Sequence, residues 1–91
     1  MAKWAVEFGV GARQDLAGLD CSLRRRILDR LQWFSENFDY ISPLPLSNEW
    51  RGFFKLRVGD WRVVYTFNTE RKAIIVQYID RRDRIYKKRR K

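Results

Sequence analysis

FFKLRVGDWRVVY, residues 53–65, alternates apolar and polar side chains on either side of a Gly59-Asp60 pair, the pattern of two strands joined by a two-residue turn. In that register Val58 pairs with Trp61, Arg57 with Arg62, Leu56 with Val63, Lys55 with Val64 and Phe54 with Tyr65. Successive side chains of a strand point to opposite faces, so Phe54, Leu56, Val58, Trp61, Val63 and Tyr65 form one wholly apolar side that must be covered. Phe53, Lys55, Arg57, Arg62, Val64 and Thr66 form the other. Arg57 and Arg62 are then cross-strand neighbours, with Lys55 beside them. Like charges directly opposite each other cost on the order of 0.2 to 1 kcal/mol, and a chain selected for stability alone would carry Thr or Glu at one of these positions. Either the three long side chains splay into water, or a bound polyanion relieves the conflict through charge-assisted bonds worth roughly 1.5 to 3 kcal/mol each. The last strand runs into Arg81 and Arg82 and then Tyr86, which brings more cations and an aromatic ring to the same sheet. That favours an anion-binding face. With an aromatic available for base stacking, the expected ligand is single-stranded RNA.

Toward the N-terminus, KWAVEF alternates with Trp4, Val6 and Phe8 on one side, a strand interrupted by Gly9 and Gly11. Ala12, Leu16 and Leu19 then fall at helical intervals and predict a short helix to about Leu19, with Gly18 near its end. Leu23, Ile27, Leu31, Phe34 and Phe38 repeat at three and four residues, while Arg24, Arg25, Asp29 and Glu36 lie off that stripe. This is an amphipathic helix that Asp20 or Ser22 caps. Pro43 and Pro45 make residues 40–50 a loop or an edge strand. Strands are predicted over 52–58, 61–67 and 73 to about 80. The order is β-α-α-β-β-β, and helices clustered early with strands late give an α+β fold: a two-helix hairpin packed on an antiparallel four-stranded sheet.

With 91 residues and 45% hydrophobic content, the chain fits one domain spanning residues 1–91. No run of about 18 apolar residues could span a bilayer, and MAKWAVEFGV lacks the apolar core and cleavage site of a secretion signal, so a cytoplasmic protein is expected. Cys21 is the single cysteine and there is no histidine, which excludes an internal disulfide, a Cys/His metal site and a Cys-His nucleophile. Cys21 itself is expected at a helix edge or in packing. The net charge of +9 is uneven: residues 1–50 carry six Lys/Arg against seven Asp/Glu, residues 51–91 fourteen against four. Such polarity suits a nucleic acid, an acidic protein or an anionic lipid surface. Part of it is the basic end at 81–91, RRDRIYKKRRK, whose eight cations could simply be solvated.

FFKLRVGDWRVVY followed by YIDRRDRIY, residues 78–86, resembles the hairpin and the C-terminal end of the RelE/ParE toxin superfamily, and the β-α-α-β-β-β order extends the resemblance over essentially the whole chain. RelE-like members are ribosome-dependent endonucleases that cut mRNA in the decoding site. ParE-like members share the fold, poison DNA gyrase and commonly lack the cationic catalytic set. Carried over residue by residue, the RelE-type set implies catalytic roles for Lys55, Arg57, Arg62 after the turn, Arg82 of the last strand, and Tyr86. Arg81 could take the place of Arg82, because the side-chain parity of the last strand is open; Arg81, Lys87 and Lys88 are expected to add RNA-binding charge. Phe53 stands where some RelE proteins have a second lysine. Arg81 stands where many have histidine, so a histidine general acid is unavailable. The resemblance further implies a type II toxin-antitoxin system, a cognate antitoxin covering the basic face, the ribosome with its mRNA as target, no membrane partner, and no DNA contact without the antitoxin.

RNA cleavage by 2′-hydroxyl attack needs a proton removed, charge stabilised on a five-coordinate phosphate, and the leaving 5′-oxygen neutralised. No metal or other cofactor is required. Lys55 is the candidate general base, because neighbouring arginines disfavour its charged form. Arg57 and Arg62 would hold the scissile phosphate, Arg82 would neutralise charge near the leaving oxygen, and Tyr86 would stack on a base, orient the 2′-hydroxyl or serve the strand end structurally. Arginine stays protonated and takes no proton-transfer role. Glu49 is an alternative base without a spacing that ties it to the hairpin. Two other expectations remain open: a ParE-like gyrase inhibitor that binds through its helical hairpin, and a non-catalytic RNA- or ribosome-binding module dominated by the basic tail.

Overall fold

In the computed structural model, which describes residues 3–87, the chain runs through β1 (Ala5–Phe8), α1 (Val10–Ala17), α2 (Cys21–Asn37), β2 (Leu44–Pro45), β3 (Phe54–Val58), β4 (Trp61–Asn68) and β5 (Ala73–Arg81). Single turns of 3-10 helix occupy Phe38–Tyr40, Asn48–Trp50 and Ile85–Lys87. Gly59 has a φ of +60°, a conformation that glycine alone adopts without strain, and it opens a two-residue turn of the II′ type. The β3–β4 register is the expected one at all five pairs, including Arg57 opposite Arg62.

The fold class is α+β, but the sheet has five strands rather than four and is mixed rather than antiparallel, in the order β1-β5-β4-β3-β2. β1 lies parallel to β5, from Ala5 opposite Ala73 to Phe8 opposite Val76. Parallel neighbours need a crossover connection, and here the two helices and three strands between β1 and β5 supply it. The fifth strand is the proline segment, where Leu44 and Pro45 pair with Lys55 and Phe54 at the sheet's edge. Pro45 lacks a donor and is tolerated at such an edge.

Asp20 caps α2, its carboxylate accepting from the Leu23 N–H at 2.8 Å. The apolar stripe of α2 then buries Ile27, Leu31 and Phe34 against Leu56, Val58, Val63, Tyr65, Ile74, Val76 and Ile79 of the sheet. Each fully buried side chain of this size contributes about 1.5 to 3 kcal/mol. Trp4, Phe34, Phe38, Phe54, Tyr65 and Phe67 continue this core as an aromatic cluster with ring centroids 4.7 to 6.3 Å apart, mostly edge to face. Cys21 is the exposed first residue of α2.

α1 begins at Val10, two residues before its apolar spacing suggests, and covers the outer edge of β5. β1 stops at Phe8, so its ladder with β5 ends at Val76. Beyond it, the Ile79 N–H donates to Asp15 Oδ2 of α1 at 2.8 Å, where a lost partner would leave a buried donor unsatisfied. Gly11 permits this approach: a Cβ there would stand 3.0 Å from the Gln77 carbonyl oxygen and 3.1 Å from the Tyr78 ring. Arg24 joins the helices, donating to the carbonyls of Leu16 and Leu19.

A second apolar cluster lies on the other face of the sheet, where sequence alternation alone leaves Val64 among exposed cations. Val64 and Ile85 are fully buried there with Trp50, and Leu46, Phe53 and Tyr78 pack around them. The segments that do this are the loop after β2 and the turn after β5. The basic face is therefore a rim around an apolar plug.

Candidate functional site

Two rows of side chains on this face cross the sheet at its hairpin end. Lys55, Val64 and Tyr78 share one row, and Arg57, Arg62 and Asp80 the next. The ladder then continues past β5 with the Arg82 N–H donating to the Asp60 carbonyl at 2.8 Å. A register shift at Val64/Tyr65 lets β5 make these rows. Val76 opposes Tyr65 and Tyr78 opposes Val64, so Gln77 is an extra residue, a β-bulge that reverses the parity of everything after it. Because of it Ile74, Val76 and Ile79 all reach the helix-side core. For the same reason alternation carries Asp80 to the side of Arg62, while Arg81, opposite Trp61, falls on the helix side; Arg82 lies past the end of β5, in the turn that follows.

The side chains sort accordingly. Lys55 is half-buried, and Arg57, Arg81 and Arg82 are exposed. Arg62 folds over the turn, its Nη1 donating to the carbonyls of Gly59 and Trp61 at 2.9 Å each. Among the described residues no carboxylate lies within ion-pairing distance of Lys55, Arg57, Arg62 or Arg82. Arg81 is different: its Nε pairs with Asp83 at 3.7 Å. Asp80, beside Arg62, pairs with Arg84 at 3.3 Å. β2 ends at the position of Lys55, so the outer edge of β3 is open at Arg57, and that side chain lines a groove against α2.

Tyr86 belongs to the second cluster's border. Its ring meets Trp50 edge-on at 5.8 Å, its carbonyl accepts from the Trp50 indole at 3.3 Å, and 37% of it stays exposed. Lys87 closes the same 3-10 turn and is exposed; Lys88 lies outside the described residues. Glu49 is an exposed residue of the turn Asn48–Trp50. Register thus unites Lys55, Arg57 and Arg62 and leaves Arg81 on the opposite side, while Arg82 reaches the hairpin end through its backbone bond to Asp60. Sequence reading missed Asp80, whose place depends on the bulge, and Trp50, which lies in a segment without periodicity.

The sequence model of the ParE toxin of type II toxin-antitoxin system, parDE, matches residues 6–86. No curated protein matches the chain. Among solved structures it is similar to a chain of the toxin-antitoxin complex RelBE2 from Mycobacterium tuberculosis, with 23% identity, a TM-score of 0.77, and coverage of 88% of this chain and 99% of that one. The archaeal RelE-RelB complex from Pyrococcus horikoshii gives 20% identity and a TM-score of 0.69, over 91% of this chain and 99% of that one. The isolated E. coli RelE toxin gives 15% and 0.70, over 86% and 83%. At these identities the likeness is one of fold. Among the described residues no helix is long and apolar enough to cross a membrane.

Proposed function

The chain belongs to the ParE toxin family of type II toxin-antitoxin systems, and we propose that it acts there as a ribosome-dependent endonuclease that cuts mRNA without a metal. The observation that carries this reading is the Arg57–Arg62 pair with Lys55 beside it, none of the three within 4 Å of a carboxylate among the described residues although Asp80 shares the row. In this mechanism Lys55 takes the proton of the ribose 2′-hydroxyl, and the 2′-oxygen attacks phosphorus. Arg57 and Arg62 hold the non-bridging oxygens as charge grows on them. The bond from phosphorus to the 5′-oxygen breaks, Arg82 stabilises the departing oxygen, and water protonates it, leaving a 2′,3′-cyclic phosphate and a 5′-hydroxyl. Tyr86, held by Trp50, stacks on a neighbouring base.

Such a site has no strong acid-base pair and is slow on free RNA. The ribosome supplies the orientation, an effect worth roughly 7 to 11 kcal/mol at its extreme. The RelBE2 and RelE-RelB complexes each join a toxin to an antitoxin, and a cognate antitoxin is the partner assigned to this chain as well. Arg62→Ala is expected to abolish cleavage of ribosome-bound mRNA, read by primer extension, while circular dichroism shows the fold retained. Undiminished cleavage by that variant would refute the assignment.

The name of the matching family favours one other reading, inhibition of DNA gyrase. Supercoiling by purified gyrase in the presence of the chain separates the two: loss of supercoiling with intact transcripts selects the second.

A further inference from the structure

Beyond the hairpin face, the exposed side of α2 and the β3–β4 turn enclose a cleft of about 530 Å³ lined by Arg26, Asp29, Arg30, Trp33, Arg57 and Gly59, with Val58 at its edge. Arg26, Arg30 and Trp33 are four and three residues apart and share one face of α2, away from the buried stripe. The Arg30 guanidinium carbon sits 4.7 Å over the Trp33 ring, which is 46% exposed. At the other end, Arg26 lies so close over the turn that a Cβ on Gly59 would stand 2.5 Å from its Nη2. Asp29 is the one carboxylate in this lining, and it makes no ion pair within 4 Å among the described residues. Three guanidinium groups thus line one cleft against a single carboxylate that pairs with none of them within 4 Å, beside an exposed aromatic.

Two features connect this cleft to the hairpin face. Arg57 lines the cleft and is also the cross-strand neighbour of Arg62. Gly59 is approached by Arg26 and also bonded, through its carbonyl, to Arg62. The cationic track therefore turns the edge of the sheet at a glycine and continues onto α2. An acidic protein would be satisfied by the charges alone, but planar guanidinium forks with an exposed indole suit alternating phosphates and bases.

We propose that the α2–turn cleft is a second RNA-contact surface, in which Arg26, Arg30 and Arg57 take backbone phosphates and Trp33 takes an unstacked base. It rests on reading the hairpin face as an RNA site, and it extends the bound strand beyond the nucleotides next to the scissile phosphate. The ribosome offers such RNA either as the message itself or as ribosomal RNA, and both present the same sugar-phosphate chemistry.

The test is binding of the full chain to fluorescent oligoadenylate over a series of salt concentrations, with polyglutamate as the protein-like control. Each phosphate contact to a single strand contributes a slope of about 0.7 in the logarithmic salt plot. Arg26→Glu with Arg30→Glu is expected to flatten that slope by ~1.4. Arg71→Glu with Lys72→Glu changes the net charge equally at the far end of the sheet and is expected to leave the slope unchanged. Trp33→Leu is expected to weaken oligoadenylate binding roughly five- to a hundredfold without affecting polyglutamate. Equal slopes for the two double variants would overturn the proposal. So would a Trp33→Leu variant that loses both probes alike or neither, which would mark an acidic-protein surface or charge alone. Arg26→Gln with Arg30→Gln replaces the glutamate pair if that pair fails to fold. A chain with these slopes that leaves ribosome-bound mRNA uncut refutes the nuclease and keeps this surface; one that cuts with unchanged slopes does the reverse.

Discussion

At Tyr65 the sheet buries a phenol completely, and its hydroxyl has no hydrogen-bond partner among the described residues. An unsatisfied buried hydroxyl costs about 1 to 3 kcal/mol. Burial also pushes the phenol's pKa upward, since the charged form would lose its water. A group whose folded pKa exceeds its unfolded one contributes stability that is complete below the unfolded value, about 10 for tyrosine, and is lost as pH rises past it. Tyr65→Phe keeps the ring contacts with Phe34 and Phe54 and is expected to gain about 1 kcal/mol at neutral pH. Its urea midpoint should also decline less than the parent's in strongly alkaline buffer. Equal midpoints for the two chains at both pH values would mean that the hydroxyl is satisfied in solution.

Among the elements, α1 shows how one backbone position decides a contact. Alanine in place of Gly11 would favour the helix by up to about 1 kcal/mol, yet its Cβ would press on the Gln77 carbonyl, part of a strand paired to its neighbour, and on the Tyr78 ring. Overpacking of that kind costs typically 1 to 3 kcal/mol. Gly11→Ala is accordingly expected to lower stability by about 1 kcal/mol in a urea titration, against the helix propensity. The hairpin and α2 were legible in the chain because their signals are local: a glycine turn fixes a register, and an apolar stripe with Asp20 before it fixes a helix. β1 was legible as a strand only. Alternation tells which side chains share a face, and it says nothing of which neighbour the strand pairs with or in which direction. The bulge at Gln77 was hidden for a related reason, and with it the side of the sheet on which Arg81 falls. Trp50, Phe53 and Ile85 meet over Val64 from three segments that have no common period. The five cations and aromatics of the candidate site were read from resemblance and from the hairpin, whereas Arg26, Arg30 and Trp33 were present as a four-and-three spacing that only the turn's proximity makes informative.

For the whole molecule, the uneven charge has a mechanical side. Residues 51–91 carry a net +10 and residues 1–50 a net −1, and among the described residues Lys55, Arg57, Arg62, Arg81, Arg82, Arg84 and Lys87 lie at the hairpin end of the sheet or in the turn that follows it. Self-repulsion of this sort is screened over a Debye length of about 10 Å at 0.1 M salt. Stability is therefore expected to rise as salt is added from a dilute buffer, and Arg57→Thr should show a smaller rise while starting up to about 1 kcal/mol higher. A urea midpoint insensitive to salt in the parent chain would contradict this. The pairing of β1 with β5 bears on how the molecule comes into being. Ala5 finds its neighbour only at Ala73, and Asp15 its donor only at Ile79. A chain still emerging from the translating machinery holds the first half of these bonds and not the second, so the emerging polypeptide lacks the β1–β5 pairing and the Asp15–Ile79 bond that close the sheet. Any activity that needs the closed sheet therefore waits until synthesis has passed the last strand, an interval in which the antitoxin of the proposed function can already be present.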